Sequence, residues 1–458
     1  MQPTKAVSFV FDHALLPGGW AHDVRVDVAD GTIADVVPAA PRENAQHVAG
    51  IALAGLTNVH CHSFQKAMAG LAERRGPAHD SFWTWREVMY RFLGTLTPDD
   101  VESITAYAYM EMLEAGFTSV GEFHYLHHDI DGRPYADVGE MLVRIAAAAQ
   151  QVGIGLTLLP SFYAYGGFGG AAPTEGQRRF LNHPDRFLKI VARAREIAAG
   201  MPGANVGIAP HSLRAVTPDT LRAVLAASPT GPVHIHAAEQ TKEVDDCLAS
   251  MGQRPVAWLL DHADIGPRWC LVHATHMTTQ ETEALAASGA VAGLCPLTEA
   301  NLGDGIFDAG RFVETGGRFA VGTDSNIQID AAAELRQLEY GQRLSRRARN
   351  VLADLEGQSV GRRLYAAALA GGAQALDRPV GSIEPGQRAD IVVLNQEHPD
   401  VAAGKHDFWL DAYVFTAGRR LVDTVIAGGE AVVEQGGHRS HAVIAERYRS
   451  VLAHLAMR

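Results

Sequence analysis

Two histidines one residue apart, His60 and His62, close a short apolar run, ALAGLTNVHCH, at residues 52–62. Alternate residues of an extended strand point to one face, so both imidazoles can grip a single cation. Zinc takes such nitrogens at about 2.0–2.1 Å. A third imidazole, His236, stands in PVHIHAAE at 232–239, and Asp324 stands in FAVGTDS at 319–325. Three imidazoles and one carboxylate leave a position for water, as hydrolytic metal centres require. Glu239, three residues past His236, could shuttle a proton between that water and a leaving nitrogen. The other role open to it is accepting a hydrogen bond from a ligating imidazole. His273, in CLVHATH at 270–276, could hydrogen-bond the attacking water or a tetrahedral oxygen, while His276 reads as a loop or supporting residue.

These residues meet only if the elements carrying them converge. Eight apolar, β-branched runs recur in the middle of the chain. They cover 52–62, 118–123, 153–160, 205–211, 232–239, 270–276, 290–296 and 319–325. Between them, DDVESITAYAYMEMLEAG, YADVGEMLVRIAAAAQQVG and TTQETEALAASG place apolar residues three and four apart and end in glycine, the pattern of capped helices. Eight alternations over about 270 residues predict a closed (β/α)₈ barrel of the TIM type, whose sites lie at the carboxyl ends of the strands. An open doubly wound sheet would carry an early GxGxxG, and no such motif follows the first run. The fourth run, NVGIAPHS, holds no lysine to bridge two metals, so one ion is expected.

Both ends of the chain carry a different pattern. VSFVF, DVRVDVADG and TIADVVP at the start match GSIEPGQRADIVVLN and LVDTVIAGGEAVVEQG near the end in style, with Asp30-Gly31 as a hairpin signal. Neither end suffices for a core. Residues 1–50 and 378–458 are therefore expected to form one composite β-sandwich domain with a C-terminal tail, leaving 51–377 for the metal-dependent barrel.

Composition narrows the function classes. The 458 residues carry a formal charge of -13 and no basic stripe, which argues against nucleic acid as a partner. No run reaches the ~20 apolar residues of a membrane span, and the first residues lack a leader pattern. Four cysteines without a CxxC pair fit a reducing, cytoplasmic setting rather than a disulfide framework.

With the strand ends laid out, TNVHCHSFQ, HIHAAE, LVHATH and GTDSN resemble the amidohydrolase superfamily, in particular its aminohydrolase branch. The likeness spans almost the entire chain. The longer stretches HSFQKAMAGLAERR, SFWTWREVMY, EFHYLHH and APHSLRAV are similar to members that act on N-formimino-L-glutamate in histidine catabolism. The resemblance implies a hydrolytic deaminase with one Zn2+ per subunit held by His60, His62, His236 and Asp324, and a homodimeric assembly. A His/Asp set could hold Fe2+ as well. It further implies Glu239, His273 and Asp324 as the proton-handling groups. Gln65, Arg86, Tyr125, His211 and Arg214 would then contact a small, doubly anionic formimino amino acid. Arginine forks suit two carboxylates.

Several alternatives share the metal machinery: deamination of guanine, an adenosine derivative or a guanidine acid, or release of another leaving group. A barrel that binds metal without catalysis is a further reading, and retention of a proton shuttle beside the ligands weighs against it.

Overall fold

Alternating apolar residues make the N-terminal segment a sheet. In the computed structural model, which describes residues 6–75 and 80–456, β1 (Ala6–Leu16) and β2 (Gly19–Ala29) pair antiparallel. Residues 1–5, part of the stretch read for a leader, and 457–458 of the tail lie outside the described residues. β2 turns into β3 (Thr32–Val37) through Asp30 and Gly31, at φ 48° and 80°, the backbone a tight hairpin demands. β4 (Gln46–Ala54) returns parallel to β1.

The run at 52–62 contains two strands rather than the expected one. β4 stops at Ala54 and β5 (Leu56–Cys61) begins the barrel. The switch occurs at Gly55, whose amide donates to the Asp390 carbonyl, while the Leu56 amide donates to Gly116. A side chain at Gly55 would meet Thr118 at 2.3 Å, so only glycine passes between the two sheets.

From β5 the barrel runs through β6 (Phe117–His124), β7 (Gly155–Phe162), β8 (Asn205–Val206) and β9 (Ala209–Pro210), all in parallel pairing. β10 (Val233–Ala237), β11 (Trp269–His273), β12 (Val291–Leu294) and β13 (Arg318–Val321) complete it. The fourth run is thus split into two short strands. Two seams close the ring: Ile208 and Ser212 bridge to Val233 and His236, and Cys61 bridges to Asp324.

Helices cover the outside as their periodicity requires. Pro98–Glu114 starts on a Thr97/Asp100 capping box, and Thr279–Ser288 on a Thr278/Glu281 box, ending at Gly289 with φ 77°. The helix expected from Tyr135 begins only at Glu140, because the Asp137 carboxylate accepts from the Gly139 amide and from Arg193.

After the barrel, β14 (Ile391–Leu394) joins β4, followed by β15 (Val422–Ala427), β16 (Glu430–Glu434) and β17 (Gly437–His438). Strands from both ends thus form one eight-stranded sheet, ordered β17-β16-β15-β14-β4-β1-β2-β3. It curls until β3 meets the segment before β14, with Ile33 donating to Gln387 and Gly386 to Ile33. The sandwich encloses its own core of Phe9, Phe11, Val26, Ile391 and Ile426. The helix His441–Ala456 instead packs on the barrel, where Tyr448 stacks on Tyr107 at 4.0 Å. Among the described residues, no helix is long and apolar enough to cross a membrane.

Candidate active site

His60 and His62 leave the end of β5 with their rings 4.6 Å apart, while Cys61 between them turns away toward Asn326. His236 arrives from β10, bringing its Nε2 to 3.1 Å from that of His60. Asp324, just past β13 and at φ 43°, places Oδ1 3.3 Å from Nε2 of both His60 and His62. One ligand atom from each of the four lies within 4.8 Å of every other, and all four residues are buried.

The donor set fits a divalent cation on its own chemistry. His62 Nδ1 donates to the Phe123 carbonyl at 2.7 Å and His236 Nδ1 to the His211 carbonyl at 2.9 Å. Both Nε2 atoms must therefore present lone pairs. Protons cannot fill the gap. Burial pushes the pKa of His60 down to about 3 despite Asp324, and lowers those of His62 and His236. Three neutral imidazoles beside one buried carboxylate form a set that a cation satisfies.

Beside this set, His273 ends β11 at φ 67°. Its Nδ1 donates to Glu299 Oε1 at 3.2 Å, which aims Nε2 at Glu239 Oε1 (3.8 Å) and Asp324 Oδ2 (3.9 Å). Burial opposes a charge on His273, but the three carboxylates hold its pKa up to about 10. Burial raises the Glu239 carboxyl to about 7, against the pull of His273 and Arg214. Its backbone is fixed by Glu243, whose carboxylate accepts from the amides of Ala238 and Glu239. Asp324 thus turns one oxygen to the histidine ligands and the other to His273.

A cavity opens over these groups, and every residue expected to contact substrate lines it: Gln65, Arg86, Tyr125, His211 and Arg214. Gln65 donates to the Tyr125 hydroxyl at 2.7 Å and keeps a buried, unpartnered Oε1. Arg214 lies 3.5 Å from Glu239, and its Nε, like that of Arg86, has no hydrogen-bond partner. His276 stands apart, donating to the Asp304 carbonyl from its loop. The other histidines of EFHYLHH are structural: His124, His127 and His128 each bond a backbone carbonyl.

Sequence reasoning missed Glu299, Tyr163, Phe180 and Tyr90. Tyr163 packs on His211 at 4.6 Å and lies one residue past β7, so its strand-end position was the available signal. Glu299 sits inside the helix Pro296–Leu302, and nothing in PLTEANL marks it as the partner of a histidine on another strand.

Comparison with known proteins places this geometry among relatives. Residues 51–432 match the family described as "Amidohydrolase family", and residues 7–46 match "Formimidoylglutamate deiminase HutF, N-terminal domain". The chain is 50% identical to a formimidoylglutamate deiminase of Pseudomonas aeruginosa, over 97% of this chain and 98% of that one. It is 28% identical to a 5-methylthioadenosine/S-adenosylhomocysteine deaminase of Natronomonas pharaonis, over 90% and 88% of the two chains. Among solved structures, an amidohydrolase from Brucella melitensis superposes with a TM-score of 0.95 at 51% identity, over 98% of this chain and all of that one. An adenosine deaminase from Xanthomonas campestris, solved with bound zinc, shares the fold at 23% identity, with a TM-score of 0.80 over 99% of both chains.

Proposed function

The chain belongs to the amidohydrolase family and, within it, to the formimidoylglutamate deiminases, and from that premise we propose how its residues hydrolyse N-formimino-L-glutamate to N-formyl-L-glutamate and ammonia. It is a metal-dependent deaminase of histidine degradation. The observation that carries the detailed reading is the meeting, in one cavity, of a buried His₃Asp set with two guanidinium groups.

His60, His62, His236 and Asp324 would hold the ion, one Zn2+ per subunit in this reading. A divalent cation bound there would supply Lewis acidity and make a water more acidic, toward a pKa of about 7. Asp324 Oδ2, turned away from His60 and His62, accepts the proton of the attacking water. His273 Nε2, steadied through Glu299, orients that water toward the formimino carbon. Attack on this electrophilic carbon gives a tetrahedral carbon bearing the terminal amino group. Glu239, poised by its raised pKa to carry a proton near neutrality, protonates that nitrogen. The C–N bond breaks, ammonia leaves, the hydroxyl proton returns to the Glu239 carboxylate, and the carbon becomes the formamide.

Arg86 and Arg214 bind the two carboxylates, with Gln65, Tyr125 and His211 completing the contacts. Aromatic walls from Phe82, Trp85 and Phe180 exclude water around them. A cytoplasmic homodimer completes the reading, and four buried free cysteines suit a reducing compartment. Ammonia release on formiminoglutamate, guanine and S-adenosylhomocysteine tests the substrate. Turnover confined to the first supports it, and preference for either purine compound overturns it.

A further inference from the structure

Trp83 is absent from the cavity wall, yet both cavity arginines rest against it. It lies in the first turn of the helix Phe82–Leu93, half-buried, and the guanidinium of Arg86, three residues on, stands 4.6 Å over its ring. Arg214 comes from the loop after β9, far away in sequence, and its guanidinium lies 5.7 Å from the same ring. Lys242, at the start of the helix Thr241–Met251, adds a third cation at 5.8 Å. Among the described residues Arg86 has no carboxylate in ion-pair contact, and Arg214 has one, Glu239, which the reaction uses, with the Glu243 carboxylate also acting on it.

Two guanidinium groups in one shielded cavity repel each other before substrate arrives. An indole within reach of both attracts each of them, and indole is the strongest of the aromatic cation–π partners. It also fixes their separation, because each fork is packed against one rigid body. We propose that Trp83 is a positioning residue that holds Arg86 and Arg214 at the spacing of two carboxylates on one small substrate, and so sets the enzyme's preference for dianions. The proposal rests on the assignment of those arginines to substrate carboxylates.

The physical reason for a shared ring is entropic as well as electrostatic. A free arginine side chain loses rotamer freedom when it clamps a ligand, and packing against Trp83 removes that freedom in advance. Tyr90 also lies 5.5 Å from the Arg86 guanidinium and Phe82 5.8 Å from that of Arg214, but Trp83 is the ring common to both forks, so its loss affects recognition of the pair rather than of either carboxylate alone.

The test compares Trp83→Met and Trp83→Phe with the metal-loaded wild type. Glutarate, a dicarboxylate without a reacting group, and butyrate, its monoanionic counterpart, are titrated by calorimetry. KM and kcat are measured on N-formimino-L-glutamate and on N-formimino-4-aminobutyrate. Trp83→Met is expected to weaken glutarate binding and raise KM for the dianion about tenfold, with kcat and both monoanion values within about threefold. Trp83→Phe, which keeps an aromatic face, should recover most of the loss. In an Arg86→Met background the Trp83→Met effect should shrink to about threefold or less. An unchanged glutarate affinity, or equal losses for dianion and monoanion, overturns the proposal. A wild type that binds glutarate through Trp83 but leaves formiminoglutamate intact overturns the functional reading instead.

Discussion

His62 and Asp324 are joined twice. The His62 amide donates to the Asp324 carbonyl at 3.0 Å, and the Asp324 carboxylate stands 3.3 Å from His62 Nε2. The seam that closes the barrel is therefore also where its first and last strands deliver donors to the same point. The Asp324 amide, in turn, donates to the His60 carbonyl.

Asn326 locks that seam. Its amide donates to the carbonyls of His62 and Asp324, and its oxygen accepts from Thr323. We expect Asn326→Ala to weaken metal affinity about ten- to hundredfold, as loss of ligand-orienting hydrogen bonds does elsewhere. Competition with a chelator measures it, and an unchanged affinity shows that the seam is held without Asn326.

The arginines should separate by kinetic constant. Arg86→Met is expected to raise KM for formiminoglutamate about ten- to hundredfold with little change in kcat, since no proton-handling group touches Arg86. Arg214→Met should raise KM and lower kcat, because Arg214 also faces Glu239 at 3.5 Å. Normal constants in both variants would remove them from carboxylate binding.

Glu239 should govern the alkaline limb of the pH profile. Burial raises its pKa to about 7, so the proton it donates is present below that value and lost above it. With metal loading held constant, kcat/KM should fall about tenfold per pH unit above the alkaline pKa. A profile flat from pH 6 to 9 would assign the proton to another group.

Away from the site, His234 on β10 donates to the Ala375 carbonyl in a dry interior. Burial lowers its pKa to about 4 from 6.5. Between those values the unfolded chain binds a proton that the folded chain refuses, so stability falls as pH falls through the window, by at most about 1.4 kcal/mol per unit. Glu122 acts with the opposite sign: burial raises it to about 7, so its contribution is full below 4.5 and fades as pH rises to 7. Thermal unfolding of His234→Gln between pH 6.5 and 4 should depend on pH less steeply than in the wild type. An unaltered slope would contradict the assignment.

The metal set and the barrel were legible because strand periodicity fixes which way a side chain points and parallel barrel strands end at one mouth. His60, His62, His236 and Asp324 needed no more than that. The break at Gly55 was not legible, since the apolar run continues through it and only the approach of Thr118 requires a glycine. Nor was Glu299: its partner His273 lies 26 residues earlier, and helix Pro296–Leu302 brings them together. Arg86 and Arg214 could be named from motifs, but that one indole touches both is a property of packing, which no spacing in the sequence records.

The central claim is that Glu239 delivers the proton to the leaving nitrogen without taking part in ion binding, which falls to the four buried donors. Metal content and ammonia release from formiminoglutamate, measured on the same preparations of wild type and Glu239→Gln, test it most directly. The account predicts about one equivalent of metal in both proteins and a rate at least about a thousandfold lower in the variant. Near-normal turnover by Glu239→Gln, or loss of the ion on that substitution, would contradict it.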